Sequence, residues 1–210
     1  MKWYWVRTRK FIKRLLPGYV WDLPGKSDTV YLTFDDGPTP ETTHFVLELL
    51  ERYGFQATFF CIGKNVQDNP EIFADILSAG HAVGNHTHDH PNGWETSFKS
   101  YIENIRECEI ALGGSNTGKL FRPPYGKLTP AQFREVKKMG YRIVMWDVLS
   151  ADFDTSVSPS KCLNNVLRNI RAGSIVIFHD SEKAAPNLRH ALPATLEYLK
   201  NNGFKSAAIT

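Results

Sequence analysis

Nowhere in this sequence do apolar residues run long enough to cross a bilayer. A span needs about 18 in succession, and charged or polar residues interrupt every apolar stretch well before that. No secretory leader is expected either, since Arg7, Arg9, Lys10, Lys13 and Arg14 break what would have to be an uninterrupted apolar centre of about 7 to 15 residues. The expected location is therefore the cytoplasm. Cysteine is scarce and odd in number, and Cys61, Cys108 and Cys162 show no CxxC spacing. That argues against a disulfide framework or zinc knuckle and for buried or partly buried thiols. Neither GxGxxG nor GxxxxGK(S/T) follows any apolar run, so the common phosphate-cradling loops are absent. Acids are missing from Met1 to Leu16, which holds Lys2, Arg7, Arg9, Lys10, Lys13 and Arg14; without that arm the formal net charge of +3 becomes −3. A mildly acidic body with one basic arm does not suit a nucleic-acid binder, whose cations spread along a face.

What is present fits one domain with a substantial core: 210 residues, 42% of them apolar. Met1 to Leu16 reads as a basic amphipathic helix, with Tyr4, Phe11 and Leu15 beside Trp5, Ile12 and Leu16. Such a helix suits either an anionic membrane surface or docking of its aromatics on the domain. Pro17-Gly18 ends it. Beyond it, seven apolar strands are expected, at Val30 to Phe34, Ala57 to Phe60, Ala82 to Asn85, Leu120 to Arg122, Arg142 to Trp146, Ile175 to Phe178 and Lys205 to Ile209. Six helices alternate with them, over Pro40 to Tyr53, Pro70 to Ala79, Thr96 to Leu112, Thr129 to Met139, Ser160 to Arg171 and Leu188 to Asn201. Capping residues precede first-turn prolines at Thr39-Pro40, Asn69-Pro70 and Thr129-Pro130. Alternating strands and helices imply a parallel sheet, and without a nucleotide signature a barrel is preferred to an open sheet.

Polar, reactive groups concentrate where strands end, which is where α/β proteins keep their chemistry. The first expected strand stops at Asp35-Asp36-Gly37-Pro38, a surface turn if taken alone. Two adjacent carboxylates that both stay ionised call for a cation, which lets one hold a metal and the other accept a proton. The third strand runs into Asn85-His86-Thr87-His88-Asp89-His90, where His86 and His90 can face the same way on a helical turn. Two imidazoles and one carboxylate suit a borderline cation such as zinc. In Arg122-Pro123-Pro124-Tyr125-Gly126, paired prolines stiffen the backbone where a Tyr125 N–H could meet a developing oxyanion, and Arg122 could pair with a strand-end carboxylate. Otherwise this is a rigid turn with a snorkelling arginine. Trp146 and Asp152 follow the fifth strand, and His179 ends the sixth, placed either to protonate a leaving amine or as a hydrogen-bonded structural histidine.

The ordered set Thr33-Phe34-Asp35-Asp36-Gly37-Pro38, His86-Thr87-x-x-His90, Arg122-Pro123-Pro124-Tyr125-Gly126, Trp146 with Asp152, and Ile177-x-His179 resembles the polysaccharide deacetylases of carbohydrate esterase family four, the NodB homology domain. The resemblance spans Val30 to Ile209, five motifs in order. It implies a single-domain α/β protein, a distorted (β/α)7 barrel over residues 30–210 preceded by a basic, aromatic lead-in over 1–29. It further implies that Asp36, His86 and His90 are metal ligands and that Asp35 is the general base toward the water the metal activates. Arg122 would hold Asp35, the Tyr125 amide would meet the oxyanion, and His179, oriented by Asp152, would protonate the departing sugar amine.

Phe153 stands where the family usually has tryptophan, Ile177 where leucine is usual, and Leu149 where an acid is common. With Trp146, Phe153 and Ile177 would line the acetyl pocket, and these changes bear on acyl preference. The expected activity is metal-dependent removal of N-acetyl groups from a GlcNAc-containing glycan, peptidoglycan or a chitin-like oligomer. Zinc is the expected metal, with cobalt, nickel or manganese also admitted by the ligand set. Alternatives are a glycan-binding scaffold, or a metal-dependent hydrolase of a small amide or imide on the same barrel. The expected partner is glycan, with no nucleic acid, a peripheral membrane contact open through residues 1–16, and a monomeric state.

Overall fold

The computed structural model describes residues 5–25 and 27–210. Among these, nine strands follow in chain order: β1 (Tyr19–Val20), β2 (Thr29–Asp35), β3 (Ala57–Cys61), β4 (Ala82–Asn85), β5 (Leu120–Phe121), β6 (Arg142–Val144), β7 (Val148–Leu149), β8 (Ile175–His179) and β9 (Lys205–Ser206). The helices are α1 (Lys10–Leu15), α2 (Pro40–Tyr53), α3 (Gly63–Asp68), α4 (Pro70–Ser78), α5 (Phe98–Ala111), α6 (Pro130–Lys138), α7 (Pro159–Leu167) and α8 (Ala185–Asn201). No helix among the described residues is long and apolar enough to cross a membrane.

The strands pair in the order β1-β6-β5-β4-β3-β2-β8-β7, every ladder parallel, with β9 against the start of β2. This is the distorted barrel. It is left open at a seam between the edge strands β1 and β7, and Met145 to Asp147 link β6, the neighbour of β1, to β7. Two strands exceed the expected seven, β1 and β7, each only two residues long and so too short to carry a period.

Alternation along β2 explains its double role. Val30, Leu32 and Phe34 join the cluster beneath α2 and α8, where the Phe34 ring stacks on Phe59 at 5.1 Å and on Phe178 at 6.1 Å. Tyr31, Thr33 and Asp35 face the barrel interior, whose apolar floor is Phe60, Leu120, Val144, Ile175 and Ile209. Parallel register then sets Asp35 beside His179 and Thr33 beside Ile177. A strand buried on both faces reads as a continuous apolar run, as β2 does.

The arm departs from expectation. Met1 to Tyr4 of the expected helix lie outside the described residues; within them only Lys10–Leu15 is helical. Before it the backbone is extended against the free edge of β7: Leu149 N donates to Val6 O at 2.8 Å, Thr8 N to Asp147 O at 2.9 Å, and Arg7 forms an antiparallel bridge with Val148. Unpaired edge groups of a strand take any compatible backbone, and that pairing overrides helical periodicity here. After α1 the chain returns as β1 on the other lip of the seam, pairing with β6. Lys13 Nζ ties the strap down, 2.5 Å from both Asp22 and the buried Asp147, while Ile12 packs on the Trp21–Tyr101–Phe121 cluster. Phe11, Leu15 and Leu16 stay exposed beside Arg9, Lys10 and Arg14.

Candidate active site

Asp35, at the end of β2, is buried and receives Arg122 Nη1 at 2.6 Å. Arg122 follows β5 and is itself fully buried, so each of its donors needs an acceptor. Nη1 also reaches Thr33 Oγ1 at 2.9 Å, Nε reaches Val144 O at 3.1 Å and Nη2 reaches Met145 O at 2.9 Å. The guanidinium lies 4.1 Å above the Phe60 ring. This fork fixes Asp35 in one orientation with its second oxygen left over.

Asp36 leaves the strand with φ 82°, a left-handed conformation. Its Oδ1 is buried without a hydrogen-bond partner, 3.4 Å from His90 Nε2 and 3.7 Å from His86 Nε2. His86 Nδ1 lies 2.7 Å from Arg122 O; a carbonyl only accepts, so Nδ1 carries the proton and Nε2 presents a lone pair. Burial, reinforced by neighbouring His90, holds the His86 pKa well below the ordinary value, and burial lowers that of His90. Neutral imidazoles are the metal-binding form. One ligand atom from each of Asp36, His86 and His90 falls within 4.8 Å of the others. An orphaned carboxylate oxygen beside two imidazole Nε2 atoms fits a divalent cation, and these three residues form a site that can hold one.

The His86–His90 segment is not the helical turn that its spacing suggests. Thr87 and His90 have φ of 66° and 57°, and the loop is held from outside. Asn85 Oδ1 accepts from Thr87 N at 2.9 Å, and Asn104 Oδ1, on α5, accepts from His88 N and Asp89 N at 2.8 and 2.9 Å. Among the described residues, five of the six non-glycine residues with positive φ, namely Asp36, Thr87, His90, Tyr125 and Ala151, lie in the segments that build this site. Such backbone strain concentrates where geometry is over-determined by function.

Across the cleft, His179 Nδ1 sits 2.7 Å from Asp152 Oδ1, and His179 N donates to Asp152 Oδ2 at 2.7 Å. Asp152 is fully buried and also accepts from Ser150 Oγ at 2.9 Å and Phe153 N at 3.0 Å. Burial disfavours the imidazolium, but Asp152 outweighs it, with help from Asp36 and Asp35, and the His179 pKa is pushed up to about 9. Behind the site, Asp180 accepts from Gly37 N at 3.0 Å and Thr43 Oγ1 at 2.6 Å. Burial pushes its pKa up to about 7. A Cβ on Gly37 would lie 1.9 Å from Asp180 Oδ2, so only glycine fits that approach.

These groups surround a cavity of about 380 Å³. Asp35, Asp36, His86, His90, Tyr125 and His179 line its polar side, and Trp146, Phe153 and Ile177 its apolar side; Arg122 and Asp152 stand behind it. The Tyr125 and His90 rings meet edge to face with centroids 4.7 Å apart, and Phe153 and His179 do so at 4.9 Å. Leu149 completes the apolar wall, and Ser181 and Lys183 stand at the mouth. The last two had no signal in the sequence beyond their place just after β8.

A sequence model of the polysaccharide deacetylase family matches residues 22–144. The chain belongs to this family. Among its relatives, a peptidoglycan-N-acetylglucosamine deacetylase of Bacillus cereus is 35% identical over 202 residues, covering 94% of this chain and 95% of that protein. A chitooligosaccharide deacetylase of Azorhizobium caulinodans is 35% identical over 181 residues, 82% of this chain and 85% of that one. The crystal structure of the Bc1960 peptidoglycan N-acetylglucosamine deacetylase, in complex with an N-hydroxybenzamide, superposes with a TM-score of 0.86 at 31% identity, covering 96% of this chain and 95% of that chain. Polysaccharide deacetylases are metal-dependent hydrolases of N-acetyl amide bonds, and the Asp36–His86–His90 cluster is the metal-competent group found here.

Proposed function

We propose that this polysaccharide deacetylase hydrolyses N-acetyl groups of GlcNAc-containing glycans, peptidoglycan or chitin-like oligomers, releasing acetate and leaving a free amine. One observation carries the reading: a carboxylate held by a buried arginine and an imidazole held by a buried carboxylate flank a three-ligand cluster in one cavity. On this reading residues 30–210 are the catalytic unit and residues 1–29 a basic, aromatic lead-in.

Asp36, His86 and His90 would hold the cation, and two nitrogens with one carboxylate oxygen favour zinc. When bound, it supplies Lewis-acid polarisation of the acyl oxygen and a lowered pKa for water. Asp35 takes the proton of the attacking water, and Arg122 keeps that carboxylate in position. The Tyr125 main-chain N–H meets the negative charge that develops on the acyl oxygen. His179 gives its Nε2 proton to the sugar nitrogen as the C–N bond breaks, which prevents expulsion of an unprotonated amide anion. Leu149, Phe153, Ile177 and Trp146 enclose the acetyl methyl and exclude bulk water.

Acetate release by zinc-reconstituted protein from GlcNAc oligomers and from peptidoglycan, with Asp35→Asn as control, tests this reading. Release that needs metal and disappears in the variant supports it. Zinc bound at full stoichiometry with no release from either substrate overturns it. The exposed Phe11, Leu15 and Leu16 beside Arg9, Lys10 and Arg14 also fit a peripheral contact with an anionic membrane.

A further inference from the structure

A second cavity, of about 340 Å³, adjoins the first. Its walls include Trp5, Thr8 and Ile12 from the strap, Trp21 from the segment after β1, and Tyr125 and Trp146 from the rim of the catalytic cleft. Tyr125, Gly126 and Trp146 line both cavities, so the two are one groove pinched at those residues. The volume falls within the usual range for ligand sites, about 300 to 1,000 Å³. None of the chemistry assigned above uses this half of the groove.

Its walls are aromatic and exposed where exposure is costly. Trp5 is 50% exposed and Tyr125 61% exposed. Trp5 is held at the rim by the pairing of the strap on β7, since Val6 O next to it accepts from Leu149 N at 2.8 Å. Thr8, whose Oγ1 donates to Trp146 O at 2.7 Å, fastens the strap directly to the shared wall. Flat aromatic faces at the edge of a polar cleft suit pyranose rings, which present C–H groups on their faces and hydroxyls at their edges.

We propose that the N-terminal strap builds a second sugar subsite, in which Trp5, together with Tyr125 and Trp146, takes the ring adjoining the one that is deacetylated. The occupant is a neutral N-acetylglucosamine-type residue of the same chain. The proposal rests on the deacetylase reading for the position of the reacting ring. Trp5 is a specificity-determining residue here and touches no reacting atom.

The test compares Trp5→Ala and Trp5→Phe with the parent protein on two substrates: a GlcNAc pentamer, which fills the groove, and an aryl acetate, which samples the cleft alone. In Trp5→Ala the ratio of kcat/KM for pentamer over aryl acetate falls about threefold to tenfold, the effect expected of one lost aromatic stack, and Trp5→Phe restores most of it. A ratio equal to that of the parent overturns the subsite. Affinity of metal-free protein for the unreacted pentamer, read by titration calorimetry, separates the two readings. Binding weakened by a similar factor in Trp5→Ala supports the subsite even if no acetate is released, an outcome that sinks only the deacetylase reading. Pentamer affinity identical in parent and variant overturns the subsite whatever the turnover.

Discussion

Asp152 grips His179 twice, taking the ring Nδ1 at 2.7 Å through one oxygen and the backbone N at 2.7 Å through the other. The imidazole is thereby fixed in rotation and in tautomer, with Nε2 left for the cleft. Burial works against its charge, yet the Asp152 carboxylate, supported by Asp36 and Asp35, keeps the pKa up at about 9. The protonated form is the one that can donate to a leaving amine, so activity falls as pH rises through that value. A cation on Asp36 cancels part of the carboxylate support, which sets the limb of the loaded enzyme at or below it. Asp152→Asn moves the limb down toward the ordinary histidine value of about 6.5, and His179→Ala costs about 10² to 10⁴ in kcat. A pH–rate profile of Asp152→Asn superimposable on that of the parent would falsify the acid role. The same shift stabilises the fold fully below the unfolded-state pKa, and that contribution is lost as pH climbs through the folded one.

Metal removal gives a second expectation. With Asp36 Oδ1 unpartnered and both Nε2 atoms beside it, loading the site satisfies a buried oxygen that otherwise has nothing to bond. Zinc at 100 times its Kd then stabilises the protein by about 2.7 kcal/mol, seen as a higher Tm that chelation reverses. His90→Ala, which removes one of three ligands, loses more than the about 10- to 100-fold in affinity typical of changes behind a ligand. Metal content after gel filtration and the zinc-dependent rise in Tm check this; an undiminished rise in His90→Ala would remove that histidine from the set.

How legible the molecule was in its sequence depended on the range over which each feature is encoded. The strand β2 and its terminal carboxylates were readable because a short apolar run and a Gly-Pro turn are local signals. So was α2, whose observed limits, Pro40–Tyr53, follow from Thr39-Pro40 at one end and Gly54 at the other, with φ 66°. The conformation of His86–His90 was not, because it is set by Asn104 on a different element, and an HxxxH spacing carries no trace of that partner. The residues alone left the partner of Arg122 open. Resemblance pointed to Asp35, and the structure adds three further acceptors around the guanidinium. The strap was misread as one continuous helix because its fate is decided by an edge strand, β7, that is itself only two residues long.

The Arg122–Asp35 pair predicts a separation of stability from chemistry. Arg122→Met leaves the buried Asp35 carboxylate without its ion partner and strips donors from Thr33 Oγ1, Val144 O and Met145 O. Breaking a buried pair by removing one partner costs about 3 to 5 kcal/mol, so this variant unfolds at markedly lower urea. Asp35→Asn keeps an acceptor opposite the guanidinium and loses less stability, yet it removes the proton acceptor and with it turnover. Zinc binding persists in Asp35→Asn, since the cluster needs Asp36 and not its neighbour. Urea midpoints alongside metal stoichiometry separate the two variants, and equal midpoints would refute the structural role given to Arg122.

The strap supplies the last prediction. Its anchors, Lys13 with Asp22 and Asp147, point into the protein, whereas Arg9, Lys10 and Arg14 reach solvent next to exposed Phe11, Leu15 and Leu16. Reversing those three charges with Arg9→Glu, Lys10→Glu and Arg14→Glu therefore leaves the anchors alone and should not change the Tm by more than a degree or two. If the surface meets an anionic bilayer, the parent co-sediments with vesicles containing phosphatidylserine at low salt and is released as salt screens the attraction, with a Debye length of about 8 Å at physiological ionic strength. Each cation near such a surface contributes about 1 kcal/mol, so the triple reversal abolishes sedimentation. Equal sedimentation of parent and variant, or binding to neutral vesicles that ignores salt, would mean that the exposed cations do not attract the membrane and that any contact is apolar alone.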